Sequence, residues 1–157
     1  MSAVRPPQTG YFRVYEHPGG GFVEVHAAHG KQESQKNLPV ALALAARGEQ
    51  VCLLPVSDAP GVRSPDATRD GVVWEFKIPE GRTANAIDKA LRDGSKQAAR
   101  VLLHLPTDFD RAVLAAGLYN RTQRTPALLQ VAVFLGETLL SFTRQEITTG
   151  TFRNQLP

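Results

Sequence analysis

Ser64-Pro65-Asp66-Ala67-Thr68-Arg69-Asp70-Gly71-Val72-Val73-Trp74-Glu75-Phe76-Lys77 is the stretch whose reading decides the fold. Gly71 to Lys77 is rich in β-branched and aromatic residues and reads as a strand. Asp70-Gly71 just before it is a hairpin-type turn dipeptide. Asp66 therefore lies on the way into the turn, and Glu75 lies well along the returning strand. Side chains alternate faces along a strand. Glu75 and Lys77 share a face with Val73, while Trp74 and Phe76 share the other. Trp74 on that second face is a core residue rather than a platform for stacked bases. The pattern of an acid after a proline, then acid-x-lysine, is the shape of a metal-dependent phosphodiesterase site. Asp66 and Glu75 supply the one or two carboxylates with which proteins often hold Mg²⁺, substrate phosphate completing the shell. Lys77 can help an attacking water. The same residues equally describe a solvated hairpin whose Glu-x-Lys is an ordinary surface pair.

Outward from this stretch, Phe12-Arg13-Val14-Tyr15 and Phe22-Val23-Glu24-Val25 flank the turn His17-Pro18-Gly19-Gly20-Gly21 and predict an N-terminal β-hairpin over Tyr11 to His26. A helix centred on Val40 to Ala46 follows, with Asn37 as N-cap, Pro39 in its first turn and Gly48 as its stop. That leaves Glu33 just before the helix or in a preceding turn of it. Gln50 to Leu54 is the next strand, and the polar loop Pro55 to Ser64 leads into the motif hairpin. Thr83 to Arg100 predicts a second helix, with Ala86, Ile87, Ala90 and Leu91 at helical spacing and a break or bend at Gly94. Val101 to Leu105 is apolar enough for a central strand, and Pro106 ends it. Asp108 to Tyr119 predicts a third helix. Leu129 to Leu135 and Thr138 to Phe142 predict a last hairpin around Gly136-Glu137. The order implies a mixed central sheet flanked by helices, in the α/β or α+β class. Residues 1–30 form an extension with its hairpin, and 31–157 the main domain.

The chain has 157 residues, the size of one ordinary domain. No apolar run is long enough to cross a bilayer, and Met1 to Gly10 lacks the apolar segment of a secretory signal. One cysteine, Cys52, excludes an intramolecular disulfide framework and a cysteine zinc cluster. Within Val51-Cys52-Leu53-Leu54 it reads as a buried structural thiol. A net charge of +3 is compatible with a nucleic-acid partner. Arg63, Arg69, Arg82, Lys89, Arg92, Lys96 and Arg100 surround the motif and are candidates for phosphate contacts, Arg69, Arg82, Lys89 and Lys96 foremost. Arg111, Arg121 and Arg124 form a second basic stretch, facing either substrate or solvent. His17, His26 and His29 offer a metal-free acid–base route, and His26 with His29 has a spacing that can bind zinc. His104, in the apolar strand, reads as a satisfied core residue.

The segment Ser64 to Lys77 resembles the PD-(D/E)xK nuclease superfamily. Its surroundings narrow the resemblance: Leu44-Ala45-Ala46-Arg47-Gly48, Val51-Cys52-Leu53-Leu54-Pro55, Pro65-Asp66-Ala67, Trp74-Glu75-Phe76-Lys77, Lys89-Ala90-Leu91 and Lys96-Gln97-Ala98-Ala99-Arg100-Val101. Together they look like the tRNA-nuclease type of C-terminal toxin domain found in contact-dependent growth inhibition proteins, CdiA. The likeness covers roughly Glu33 to Leu105, weakens over the last third and is absent from Met1 to His29. It implies a restriction-endonuclease-like core of helix, three antiparallel strands, helix and strand. It implies a catalytic set of Asp66, Glu75 and Lys77, with Glu33 as an added acid and metal ligand or else an exposed polar residue, and Gln97 on the helix after the motif strand. Asp66, Glu75 and Glu33 would hold a divalent metal, Mg²⁺ first, with Zn²⁺ or Mn²⁺ as alternatives. The implied activity is cleavage of tRNA in a competing bacterial cell. A cognate immunity protein, acidic by charge complementarity, would neutralise it. The chain would be exported as part of a larger effector and act in the target-cell cytoplasm. A DNase on the same fold, or a non-catalytic nuclease-like interaction module, fits the same motif.

Overall fold

The structure is a computed structural model and describes residues 5–157. The chain divides into two compact units, one ending at Trp74 and the other Glu75–Pro157. In the first unit, β1 (Tyr11–Glu16) and β2 (Phe22–His26) form the predicted antiparallel hairpin. Helix α1 (Lys31–Ala45) crosses over to β3 (Gln50–Leu53), which lies parallel to β2. A parallel pair needs such a crossover, so the hairpin is joined by hydrogen bonds to the strand after α1. Strand β4 (Ala67–Arg69) is antiparallel to β3 and to the first half of β5 (Val72–Lys77), with Ala67 opposite Trp74 and Arg69 opposite Val72. Asp70 and Gly71 link them with φ of 48° and 83°. Positive φ at both positions is the type I′ geometry that matches strand twist. Phe22, Val23, Val40, Leu44, Val51, Leu53 and Trp74 fill this unit's core.

In the second unit the last residues of β5 run parallel to β6 (Arg100–Leu105), with Glu75 opposite Val101 and Lys77 opposite Leu103. Strand β6 is parallel to β7 (Gln130–Leu135), which forms the predicted antiparallel hairpin with β8 (Thr138–Thr143). Helices α2 (Ala84–Ser95) and α3 (Arg111–Arg124) begin at side-chain caps, Thr83 and Asp110. Ile87, Leu91, Leu103, Leu118, Phe142 and Phe152 belong to one buried cluster of this unit. The architecture is the mixed α+β arrangement of strands and helices that the sequence predicts.

Several boundaries differ from expectation. Helix α1 starts at Lys31, two turns before the expected cap, so Asn37 is an interior position and Pro39 sits inside the helix. Pro39 withdraws the donor that the Gln35 carbonyl would use. Both residues are exposed, where water can replace the bond. Helix α2 runs through Gly94 but stops at Ser95, because Lys96 to Ala99 turn the chain into β6. Helix α3 begins three residues later than expected and continues to Arg124. A short final helix, α4 (Arg144–Thr149), was not foreseen; it starts at a Thr143–Glu146 capping box.

Asp88 on α2 ties that helix to α3. Its carboxylate accepts from Arg121 Nε at 3.0 Å and Nη2 at 2.9 Å, and from Arg124 Nη2 at 2.7 Å. The hydrogen bonds from Arg121, above all, hold the Asp88 carboxyl below the usual aspartate range, against the opposing effect of burial. A depressed folded-state pKa stabilises the fold above the unfolded value and loses that contribution as pH falls through the folded one. Asp88→Asn is therefore expected to lose about 1–3 kcal/mol at neutral pH, the range for hydrogen bonds to charged groups. Urea titrations of both proteins from pH 7 to pH 3 should show the gap closing at the acid end. A gap that is constant with pH would contradict the assignment.

Candidate functional site

Asp66 enters β4 at 4% exposure. A carboxylate taken so far out of water needs compensation, and the first unit supplies a chain of hydrogen bonds. The buried His29 ring places Nδ1 2.5 Å from the Leu54 carbonyl. A carbonyl only accepts, so Nδ1 carries the proton and Nε2 is an acceptor. The Asn37 amide nitrogen lies 3.2 Å from that Nε2 and 3.1 Å from Asp66 Oδ1, donating to both. The two acceptors fix the amide's orientation. Asn37 Oδ1 remains buried with no hydrogen-bond partner among the described residues. The Leu54 N–H donates to the Asp66 carbonyl at 2.9 Å. Glu33 lies one helical turn before Asn37, on the same face of α1. The early start of α1 is what gives Glu33 this position.

In the second unit Glu75 is also 4% exposed, and Lys77 Nζ stands 3.7 Å from its Oε2. The ion pair follows from strand alternation, two residues apart on one face. Trp74 and Phe76 are buried on the other, as predicted. Gln97 is not on a helix: it lies half-buried in the turn after α2, its N–H bonded to the Gly94 carbonyl at 2.9 Å.

The basic candidates separate. Arg69 donates from Nε and Nη2 to the Glu49 carboxylate at 2.7 and 2.8 Å and lies 4.4 Å over the Trp74 ring. These contacts hold its guanidinium within the first unit. Arg82 pairs with Asp108 at 3.0 Å on an exposed surface, and Lys96 is exposed near Asp93. Lys89 is exposed on α2. Arg121 and Arg124 bind Asp88, and Arg111 donates to the carbonyls of Thr107 and Phe109.

The histidine alternatives do not assemble. Both His29 nitrogens are engaged, so it cannot pair with His26 on zinc. His26 and His17 accept from the Ala28 and Gly19 N–H groups through Nδ1, serving their own turns. His104 is half-buried against the Phe134 ring, with 6.1 Å between centroids. Burial pushes the Cys52 thiol up, in keeping with a structural role. Among the described residues no three of His, Cys, Asp and Glu form a ready ligand set. In the Asp66 network the ligand atoms are oxygens, the Asp66 carboxylate and the unsatisfied Asn37 Oδ1, with Glu33 one turn away on α1. That donor chemistry fits a hard cation with few protein ligands, as Mg²⁺ is commonly held, rather than zinc.

Two buried polar residues escaped the sequence reading. Asn37 reads locally as a cap; the signal of its real role is an amide in a helical stretch, where amides are disfavoured unless they bond elsewhere. Glu24 is fully buried and pairs with Arg13, its cross-strand partner in the β1–β2 hairpin, and with Arg5 at 3.2 Å. The hairpin register pointed to that pair.

Residues 63–133, fewer than half of the chain, match the family model described as the contact-dependent growth inhibition CdiA C-terminal domain. The solved CdiA-CT/CdiI toxin and immunity complex from Burkholderia pseudomallei contains a chain of similar fold, with a TM-score of 0.56 and 21% identity over 71% of this chain and 85% of that one. At that identity the likeness is one of fold. No curated protein matches the chain.

Asn37→Leu should remove the amide N–H groups that Asp66 Oδ1 and His29 Nε2 accept. The expected loss is about 1–3 kcal/mol, read as a lower urea midpoint. An unchanged midpoint would show that the amide does not hold this network.

Proposed function

We propose that the chain is the toxin domain of a contact-dependent growth inhibition system and acts as a metal-assisted endonuclease on tRNA. One observation carries this reading. Ala67 and Trp74 are register partners of the β4–β5 hairpin, and the residues on either side of that pair in the chain, Asp66 and Glu75, are nearly buried carboxylates. Glu75 keeps Lys77 beside it. The segment lies within the residues that match the CdiA C-terminal family.

In this reading Asp66 and Glu75 hold a divalent cation, Mg²⁺ first and Mn²⁺ or Zn²⁺ as alternatives, with Glu33 as a further acid on the α1 face. When bound, the metal supplies Lewis acidity and a nucleophilic water at neutral pH. Asn37 keeps the Asp66 carboxylate oriented. Lys77 places a positive charge on the face that Glu75 shares, where it can orient the nucleophile or stabilise developing negative charge. Gln97 serves as a positioning residue for Lys77 or a phosphate. Arg82, Lys89 and Lys96 remain as contacts to the substrate backbone, which give affinity without sequence choice. An immunity protein presenting acidic groups would block that basic surface. The domain would travel as part of a larger exported effector and act in the cytoplasm of the target cell.

Purified protein incubated with total tRNA and, separately, plasmid DNA should cleave tRNA in Mg²⁺ and not in EDTA. Asp66→Ala, Glu75→Ala and Lys77→Ala should each lower cleavage by roughly 100-fold or more, while circular dichroism shows a retained fold. DNA cleavage instead would transfer the reading to a DNase. Full activity in the folded variants would remove these residues from the mechanism.

A further inference from the structure

Asp66 stands at the end of a long loop. Residues 55–63 are exposed, and the strand that follows Asp66, β4, is only three residues long. Exposed loops are the mobile parts of a fold, and so short a strand anchors little by itself. What holds Asp66 is a closed ring of hydrogen bonds. His29 Nδ1–H donates to the Leu54 carbonyl at 2.5 Å. The Leu54 N–H donates to the Asp66 main-chain carbonyl at 2.9 Å. The Asn37 amide donates to Asp66 Oδ1 at 3.1 Å and to His29 Nε2 at 3.2 Å, which returns the ring to His29. Asp66 is thereby gripped at its backbone and at its side chain. The same ring joins the two ends of the loop, which leaves β3 after Leu54 and ends at Asp66.

His29 is the member of this ring whose side chain serves it from both ends. It is fully buried, and both of its nitrogens are engaged within the ring. It therefore acts on the acid through its neighbours. Its backbone is held as well: the His29 N–H donates to the His26 carbonyl at 2.9 Å, and the Ala28 carbonyl accepts from the Val56 N–H at 3.0 Å. These bonds extend beyond the β2–β3 pairing, in which Val25 faces Leu53. An aliphatic side chain could fill the same space. The imidazole adds a donor and an acceptor at a fixed angle, and the bond made by one nitrogen settles the role of the other.

We infer that His29 is a positioning residue for Asp66: through Asn37 and Leu54 it sets how firmly that carboxylate holds a divalent cation. The inference rests on the metal-assisted reading of Asp66, whereas the ring itself stands apart from that reading. Groups that hydrogen-bond a metal-holding carboxylate from behind govern its orientation, and their loss weakens metal binding.

The test is a Mn²⁺ titration of the full chain, followed by the EPR signal of the free ion, beside cleavage assays. Wild type should bind Mn²⁺ and Asp66→Ala should not. His29→Leu should raise the Mn²⁺ midpoint about tenfold or more, and its cleavage should recover at saturating Mn²⁺, which a mere loss of fold would not allow. His29→Gln should recover most of the affinity, since its amide again offers one donor and one acceptor. His29→Met, flexible enough to fill the space without either bond, repeats the test if His29→Leu does not fold. In the wild type, the ring ¹⁵N spectrum of His29 should show the proton on Nδ1, and Asn37→Leu should move the Nε2 signal. A folded His29→Leu or His29→Met with the wild-type midpoint overturns the inference, as does a Gln variant no better than these, or a proton on Nε2. Mn²⁺ binding that follows the expected pattern without cleavage of RNA or DNA keeps the inference and overturns the nuclease reading. A wild type that binds no Mn²⁺ overturns both.

Discussion

The two-residue turn at Asp70-Gly71 sets the register of β4 against β5, and the chemistry of this hairpin depends on that register. With both turn residues at positive φ, Arg69 faces Val72 and Ala67 faces Trp74. Side chains in a strand have a period of two, so a slip of one residue would exchange every inward and outward position. The aromatic residues Trp74 and Phe76 resist the slip because each is worth a large apolar burial on one side only. Arg69 adds to the lock: its guanidinium lies over Trp74 while Glu49 holds it from the side. The faces carrying Glu75 and Lys77 are thus determined by the packing of residues with no chemistry of their own.

Burying acids is the second constraint. Glu24, Asp66 and Glu75 are all nearly or fully buried, yet their compensation differs. Glu24 is closed by arginine: Arg13 and Arg5 both pair with it, and both guanidiniums lie over the Phe22 ring, at 4.2 and 4.9 Å. Such a fully paired acid has a structural role. Asp66 is compensated by a neutral amide, and that amide retains an unsatisfied oxygen. Glu75 has a lysine at a distance longer than a hydrogen bond. The three burials thus have different partners among their compensation: two arginines at Glu24, a helix amide at Asp66 and a strand neighbour at Glu75.

The strands were legible because alternation, turn dipeptides and apolar runs report on local geometry. The motif hairpin, the central strand and both terminal hairpins follow from those signals. The start of α1 was not legible, since Asn37 and Pro39 look like the first residues of a helix when read locally. What overrides that local preference is tertiary: Asn37 is needed where it can reach His29 and Asp66, and the exposed side of the helix tolerates the proline. Gln97 was misplaced for a related reason, because helical periodicity continues past the point where the chain must turn into β6. The carboxylates of the candidate site were readable as residues. The Asn37 and His29 support behind Asp66 was not, because it joins positions far apart in sequence.

Charge was the least legible property. Arginines close to the motif in sequence looked equivalent as phosphate contacts, yet Arg69 is held by Glu49 and Arg100 by Gln130. Arg121 and Arg124, further along, close α3 onto Asp88. Arginine's planar fork suits it to these bidentate anchors, so an arginine-rich segment can be largely structural. Lysine, a strongly hydrated point charge on a flexible stem, is less readily tied down. Lys77, 3.7 Å from Glu75, and Lys89, with no partner among the described residues, both line one cavity of the second unit.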